Sequence, residues 1–158
     1  MMKIFLTMLV FMPVLVFSQT LDTVEVYEGN GAFEHRIIDL SYRNFTEVPA
    51  RAVNNEMEVL ILDNNNITVL PDWLANLPKL RSLSVRNNNL KDVSILMYCT
   101  NLEELYLSGN KNLADLPSFT RNTKLRVVDV VDTKINNLPV RIRGMENIGY
   151  FKYSTQKK

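Results

Sequence analysis

A motif of regularly spaced apolar residues recurs along most of the chain, and it limits the possible folds more than any other feature. When the chain is aligned on the pattern Leu-x-x-Leu-x-Leu-x-x-Asn-x-Leu, successive units begin at residues 35, 57, 80, 102, 125 and 148, in steps of 22 or 23 residues. Repetition at a fixed period of this length is typical of a solenoid. Because a single unit cannot bury its own apolar face, the units must stack on one another.

The units match this pattern to different degrees. The first unit is degenerate and the last is truncated, whereas the four central units place apolar residues at the main pattern positions. Their pattern residues are, unit by unit, Met57, Leu60, Leu62, Asn65 and Ile67; Leu80, Leu83, Val85, Asn88 and Leu90; Leu102, Leu105, Leu107 and Asn110; and Leu125, Val128, Val130 and Ile135. Arg43 and Thr133 stand where asparagine is expected, and one residue is added within 110–113.

On these residues the chain resembles the leucine-rich-repeat family over about residues 35–153. The convex half of the second unit is also similar to the family. That half reads Leu70-Pro71-x-x-Leu74-x-x-Leu77-Pro78-x-Leu80. The third unit departs from the family at this point, because it has Val93-Ser94 where a proline is expected. The resemblance implies an α/β fold, a leucine-rich-repeat solenoid with a curved parallel sheet on the concave side and short helical or irregular segments on the convex side. The chain looks most like the short secreted bacterial type, similar to leucine-rich-repeat proteins of Bacteroidetes.

The residue spacing supports the same fold on physical grounds. Apolar residues at the fourth and sixth positions are two apart, a period that places both side chains on one face of a short strand. The asparagine that follows can both donate and accept hydrogen bonds, which suits a turn whose backbone groups are buried. The sequence therefore predicts a structural ladder of Asn65, Asn88 and Asn110 along the solenoid.

The N-terminal residues suggest export. Residues 1–18 contain a single charge, Lys3, before an apolar run that is too short to span a membrane, so they are predicted to be a signal peptide cleaved before Gln19. An uncleaved anchor is the alternative. Residues 19–34 are predicted to be an N-terminal cap with a strand at Thr23–Tyr27, and residues 35–158 to be the repeat domain, with about five repeats and a terminal strand at Gly149–Tyr153. We expect a secreted or periplasmic protein without stable membrane insertion once the signal is removed.

Composition argues against several function classes. The formal net charge of +1 provides no basic excess for nucleic-acid phosphates, so no nucleic acid is expected as a partner. With one Cys and one His, the chain lacks the residues for the common zinc centres, and neither a metal nor a cofactor is predicted. Cys99 lies in an apolar convex segment and is interpreted as a buried, inert thiol, and Trp73 as a packing residue. His35 is interpreted as a solvated capping residue.

The outward positions of the strands are the best candidates for function, because a solenoid presents them as one extended concave surface. The sequence predicts a module that recognises a protein or peptide there. The predicted binding residues are Tyr106, Asp129, Tyr150 and Glu104, with Arg86 and Lys152 setting charge preference. Toward the C-terminal end, Tyr106, Val127, Val131 and Tyr150 form an apolar cluster with two aromatic rings. At the N-terminal end, Ile37, Val59 and Ile61 form another, which is expected to lie under the capping segment.

Two alternatives remain open. A hydrolase-like enzyme could use Asp39, Glu104 and Asp129 as acid and base, although an open sheet gives carboxylates little of the burial that separates their pKa values. The sequence contains no catalytic motif, so no catalytic residue is assigned. The other alternative is a structural spacer without a ligand.

The second position of each unit carries charges of alternating sign. Neighbouring parallel strands lie about 4.8 Å apart, so each charge should face an opposite one. These residues are Arg36, Glu58, Arg81, Glu103 and Arg126. They are interpreted as a register ladder.

Overall fold

The computed structural model describes residues 36–52, 54–135 and 148–153. The predicted signal peptide, cap and His35 lie outside these residues. The described part is a six-stranded parallel sheet in the order β1 to β6, one strand from each unit. The strands are β1 (Ile37–Asp39), β2 (Val59–Ile61), β3 (Ser82–Ser84), β4 (Glu104–Tyr106), β5 (Val127–Val130) and β6 (Tyr150–Tyr153). The predicted curved solenoid is confirmed, although β6 begins one residue later than predicted.

The convex side of the described residues carries short 3-10 helices. They are η1 (Ala50–Ala52), η2 (Asp72–Asn76) and η3 (Ser94–Tyr98). Helix η3 forms although its unit lacks the proline found before η2, because Leu96 is buried and the backbone amide of Cys99 donates to the carbonyl of Leu96. Trp73 is half-buried and packs against the core, as predicted. No helix in the described ranges is long and apolar enough to cross a bilayer.

The core lies between the sheet and the convex segments. The strands pair without offset, so residues at the same repeat position lie side by side. Leu60, Leu83, Leu105 and Val128 consequently form one inward column, and all four are completely buried. The fourth unit adds Phe119, also completely buried. Stacked columns of this kind let each unit cover the next.

The eighth residue of each unit has left-handed backbone geometry in every described turn. Its φ is 57° at Asn64, 53° at Asn87, 79° at Gly109 and 56° at Asp132. Asn, Asp and Gly are the residues that adopt this conformation most readily. At Gly109 space adds a second requirement, because a Cβ there would lie 2.0 Å from the side-chain oxygen of Asn87. Only Tyr42 in the degenerate first unit, with φ of 60°, departs from these residue types.

Asparagine side chains connect neighbouring turns. The Nδ2 of Asn88 donates to the carbonyl of Val85 in its own unit and to that of Leu62 in the preceding unit, at 3.1 and 2.9 Å. Its Oδ1 accepts from the backbone amide of Ile67 at 2.9 Å. Asn65 and Asn110 repeat this arrangement. Each amide thus pairs backbone groups that would otherwise be buried without partners.

Thr133 forms a different turn. Its hydroxyl donates to the carbonyl of Val130 at 2.7 Å and accepts from the amide of Ile135 at 3.1 Å. Both partners belong to its own unit. The shorter side chain therefore closes its own turn, whereas Asn88 also binds the preceding one.

The alternating charges form ion pairs along the rim of the sheet, as predicted. Glu58 lies 3.0 Å from Arg36 and 3.9 Å from Arg81, and Glu103 lies between Arg81, at 2.7 Å, and Arg126. The hydrogen bond from Arg81 holds the pKa of Glu103 below its ordinary value. The same bond raises the pKa of Arg81. These pairs reinforce the strand register at the edge of the concave face.

Candidate functional site

The concave surface is built from the third, fifth and seventh positions of each unit. Because the strands pair without offset, these positions form three straight rows across the sheet. The middle row contains Ile61, Ser84, Tyr106 and Asp129 on four consecutive strands. These four side chains differ in size and polarity, so the surface changes from strand to strand while the core beneath it does not.

Asp63 organises the centre of this surface. Its Oδ1 accepts hydrogen bonds from the hydroxyl of Ser84 at 2.6 Å and from the backbone amide of Arg86 at 2.8 Å. Its other carboxylate oxygen lies 3.5 Å from the guanidinium of Arg86, which also donates to the hydroxyl of Ser84 at 3.2 Å. One aspartate therefore fixes both the backbone and the side chain of Arg86.

Arg86 extends from its position on one strand across the next. The centre of its guanidinium lies 4.1 Å from the ring centroid of Tyr106, and its Nε lies 3.9 Å from Oδ2 of Asp129. A cation over an aromatic face at this distance is attracted to the ring. Arg86 is consequently held between two aspartates, with Tyr106 beneath it.

Glu104 accepts two hydrogen bonds from neutral groups. The hydroxyl of Ser82 donates to its Oε2 at 3.2 Å, and the hydroxyl of Tyr106 donates to the same oxygen at 3.3 Å. Burial, reinforced by the negative charge of Glu104, raises the pKa of Tyr106. The phenol therefore remains a hydrogen-bond donor at neutral pH.

The structure divides the six predicted binding residues between two places. Arg86, Glu104, Tyr106 and Asp129 belong to one connected cluster. The other two lie on β6, where Tyr150 is 51% exposed and Lys152 is also exposed. Tyr150 pairs with Val127, which pairs with Glu104, so the ring stands two strands from that carboxylate.

Three polar residues of the cluster were not singled out from the sequence. They are Asp63, Ser82 and Ser84. Asp63 and Arg86 occupy the same position in consecutive units, and this juxtaposition of opposite charges was the signal for their pairing. The two serines carried no such signal, because their hydrogen bonds depend on which neighbouring carboxylate reaches them.

Asp39 is separated from the other two carboxylates of the hydrolase alternative, Glu104 and Asp129, which lie on adjacent strands. Asp39 is exposed on β1, where it accepts a hydrogen bond from the backbone amide of Ser41 at 2.9 Å. Glu104 lies three strands away, which corresponds to about 14 Å at the usual strand spacing. Asp39 is therefore too far from Glu104 to share a reacting group with it.

Other chemistry-bearing residues are not arranged as a reaction centre. Among the described ranges, no group of three or more His, Cys, Asp and Glu side chains is placed to hold a metal ion. Cys99 is buried as predicted, and desolvation raises its pKa to about 11. The thiol is thus protonated, and a thiol is a much weaker nucleophile than a thiolate.

A groove of about 1,040 Å³ lies on the opposite side of the solenoid, near its N-terminal end. Phe45, Val48, Val69, Pro71 and Trp73 are among its lining residues. Its lining is more apolar than the concave cluster and contains few charges. This groove is therefore a second candidate surface, besides the concave face, for contact with a partner.

Comparisons with known proteins agree with the repeat pattern. A leucine-rich-repeat family model matches residues 36–90, and a second one matches residues 101–122. The probable inactive serine/threonine-protein kinase roco10 of Dictyostelium discoideum is 31% identical over 93 residues, which are 55% of this chain and 4% of that protein. The oligodendrocyte-myelin glycoprotein of Homo sapiens is 33% identical over 105 residues, 64% of this chain and 22% of that protein. The chain thus spans less than a quarter of the length of these two relatives.

A solved structure supports the architecture. A leucine-rich-repeat protein of Leptospira interrogans superposes with a TM-score of 0.61 at 22% sequence identity, covering 76% of this chain and 38% of that one. At this identity the likeness concerns the fold alone. Leucine-rich repeats generally serve as non-enzymatic interaction modules with an extended concave surface. The repeat period, the six-stranded parallel sheet and the matched family models together identify the chain as a leucine-rich-repeat protein.

Proposed function

We propose that the chain recognises a protein or peptide on its concave sheet. The observation that carries this proposal is the connected cluster of Asp63, Arg86, Tyr106 and Asp129, whose side chains contact one another on the outer side of the sheet. The core is formed by the opposite side of the same strands. Ordered polar and aromatic side chains that the core does not use are suited to bind a partner.

The composition of this surface is typical of protein interfaces. Tyrosine and arginine are enriched among the residues that dominate binding energy. The guanidinium of Arg86 is already positioned by two aspartates, so a partner would have little side-chain entropy to overcome there. A solenoid of this length offers about 800 Å² to a partner, which corresponds to a complex of ordinary or transient stability.

The proposed function extends to the compartment. Residues 1–18 have the charge, length and apolar run of a secretory signal, which supports export to the periplasm or the medium. The mature protein should begin at or near Gln19. Intact-mass measurement of the protein from its source cells tests this proposal, and a cytoplasmic product that retains residues 1–18 would contradict it.

The recognition proposal can be tested with a matched pair of tyrosines. Tyr150 on the concave side and Tyr98 on the convex side are 51% and 50% exposed, so each can be changed to Ala with a similar loss of exposed aromatic surface. The full chain and both variants are immobilised after equal thermal stability has been verified. Proteins captured from envelope and secreted extracts are then quantified.

We expect Tyr150→Ala to reduce capture about tenfold, the effect of a residue that contributes more than 1 kcal/mol to binding, and Tyr98→Ala to leave it unchanged. The opposite result would place the binding surface on the convex side. Capture of nothing by any of the three proteins would favour the spacer alternative and contradict the proposal.

A further inference from the structure

Glu104, Val127 and Tyr150 form a straight row across three consecutive strands. Glu104 pairs with Val127, and Val127 with Tyr150. At the usual strand spacing, the backbone of Glu104 lies about 10 Å from that of Tyr150. The row thus presents a carboxylate at one end, an aromatic ring at the other and a half-buried apolar side chain between them.

The carboxylate of Glu104 differs from the other acids near it. Asp63 and Asp129 both face Arg86, and Glu103 lies between two arginines of the rim. Glu104 accepts instead from the hydroxyls of Ser82 and Tyr106, both on its Oε2. Within residues 36–52, 54–135 and 148–153, no Lys or Arg forms an ion pair with Glu104. Its negative charge is therefore positioned by neutral donors without a direct cation contact, and Arg81 of the rim attracts it only from a longer distance.

The charges around the row favour a cation. The third, fifth and seventh positions of the units carry four acidic groups, Asp39, Asp63, Glu104 and Asp129, and two basic ones, Arg86 and Lys152. The adjoining rim adds two acidic and three basic groups, so an acidic excess of one remains. Arg86 is already engaged by two of those acids. A surface on which charges of one sign predominate attracts and orients a partner of the opposite sign.

The dimensions of the row match a long basic side chain. Lysine and arginine carry an apolar stem that packs on hydrophobic surface while the charged head remains polar. The exposed ring of Tyr150 can stack with a guanidinium or ammonium group, and Val127 can support the stem. The carboxylate of Glu104 is then available for a charge-assisted hydrogen bond to the head group.

We infer that the row Glu104, Val127 and Tyr150 is a subsite for an arginine or lysine side chain of the recognised protein or peptide. This inference rests on the proposed concave recognition function and specifies the chemistry of the partner. A neutral or acidic segment would leave the charge of Glu104 unbalanced within the interface, which is costly once water is excluded.

The test uses a random library of short peptides displayed on phage and selected against the immobilised full chain. We expect the selected peptides to be enriched in Arg and Lys, and one of them is synthesised in two forms, with arginine and with its neutral isostere citrulline. Glu104→Gln should weaken binding of the arginine form about tenfold, the effect of one charged hydrogen bond in a partly exposed site. Glu47→Gln removes the same charge from an exposed position beside the convex groove and should leave the affinity unchanged.

A double-mutant cycle separates direct contact from a disturbance of Tyr106. If arginine binds Glu104, the effect of Glu104→Gln should disappear with the citrulline peptide. Tyr150→Phe should retain binding because the ring remains, and Tyr150→Ala should lose it. An effect of Glu104→Gln that is equal for both peptides would overturn the subsite.

The same selection distinguishes failure of the subsite from failure of the proposed function. Peptides without basic enrichment whose binding is lost in Tyr150→Ala would overturn the subsite and leave concave recognition intact. Peptides whose binding survives every concave variant would overturn both proposals. Basic peptides whose binding depends on Glu104 and Tyr150 would support both.

Discussion

The two faces of the same sheet follow opposite rules. On the inward face, Leu60, Leu83, Leu105 and Val128 repeat nearly the same side chain on successive strands, all completely buried. On the outward face, Tyr106 follows Leu105 directly and belongs to a row that includes apolar, acidic, basic, hydroxyl and aromatic side chains. Stacking requires apolar side chains of similar shape at the inward positions, whereas the outward positions do not have to fill a core. The inward residues of each strand thus serve stability, and the proposed recognition is left to the residues that alternate with them.

The largest effect is expected at an inward position. Replacing Leu105 with Ala should lower the free energy of unfolding by about 2 to 5 kcal/mol, because it leaves a cavity lined by both neighbouring units. Urea or thermal melts measure the loss. A variant that melts like the parent would contradict the role given to the inward face, because it would show that the inward column does not hold the units together.

A smaller loss is expected at the turn that connects two units. Asn88→Ala removes the amide that donates to the carbonyls of Leu62 and Val85 and accepts from the backbone amide of Ile67. Leaving these buried groups without partners should cost about 1 to 3 kcal/mol. The same melts provide the measurement, and an unchanged midpoint would show that water replaces the amide at no cost.

Thr133 provides a control for Asn88, because its hydroxyl forms hydrogen bonds within its own unit. Thr133→Val preserves shape and removes only the bonds to Val130 and Ile135, so we expect a loss of about 1 kcal/mol, smaller than that of Asn88→Ala. Equal losses of unfolding free energy in the two variants would mean that the hydrogen bonds of Asn88 to the preceding unit add nothing to stability.

The smallest stability effect is expected at the rim. Glu103→Gln removes the ion pairs with Arg81 and Arg126 and should cost about 0 to 1 kcal/mol near neutral pH, because exposed pairs contribute little. The pKa of Glu103 is lowered in the folded chain, so its contribution is present above the ordinary value of 4.5 and is lost as the pH falls through the lowered value. The stability difference between variant and parent should therefore shrink in acid. A difference that grows on acidification would contradict the assigned sign.

Much of the fold follows from the sequence because it rests on periodicity. The two-residue spacing of Leu60 and Leu62 predicts the strand faces, and the step of 22 or 23 residues predicts the parallel register. Other features depend on three-dimensional context. The left-handed backbone of Tyr42 contradicts the preference of its residue type, and nothing in the pattern indicated that Phe119 would complete the core of the fourth unit.

The presence of the cluster residues on one surface was predictable from the sequence, but the contacts among them were not. The alternation of inward and outward side chains along each strand places Arg86, Tyr106 and Asp129 on one surface. That Arg86 crosses Tyr106 to approach Asp129, and is also held by Asp63, depends on its side-chain conformation. A repeat pattern specifies which face a residue occupies but not which of several neighbours a long side chain selects.

The central claim is that partners contact the outward face and not the convex side. Valine methyl NMR of the labelled full chain tests it most directly, because Val127 lies in the concave row and Val69 is 68% exposed beside the convex groove. On addition of a captured partner or a selected peptide, we expect shifts or broadening of the Val127 methyl signals and none at Val69. Perturbation of Val69 with Val127 unchanged would contradict it.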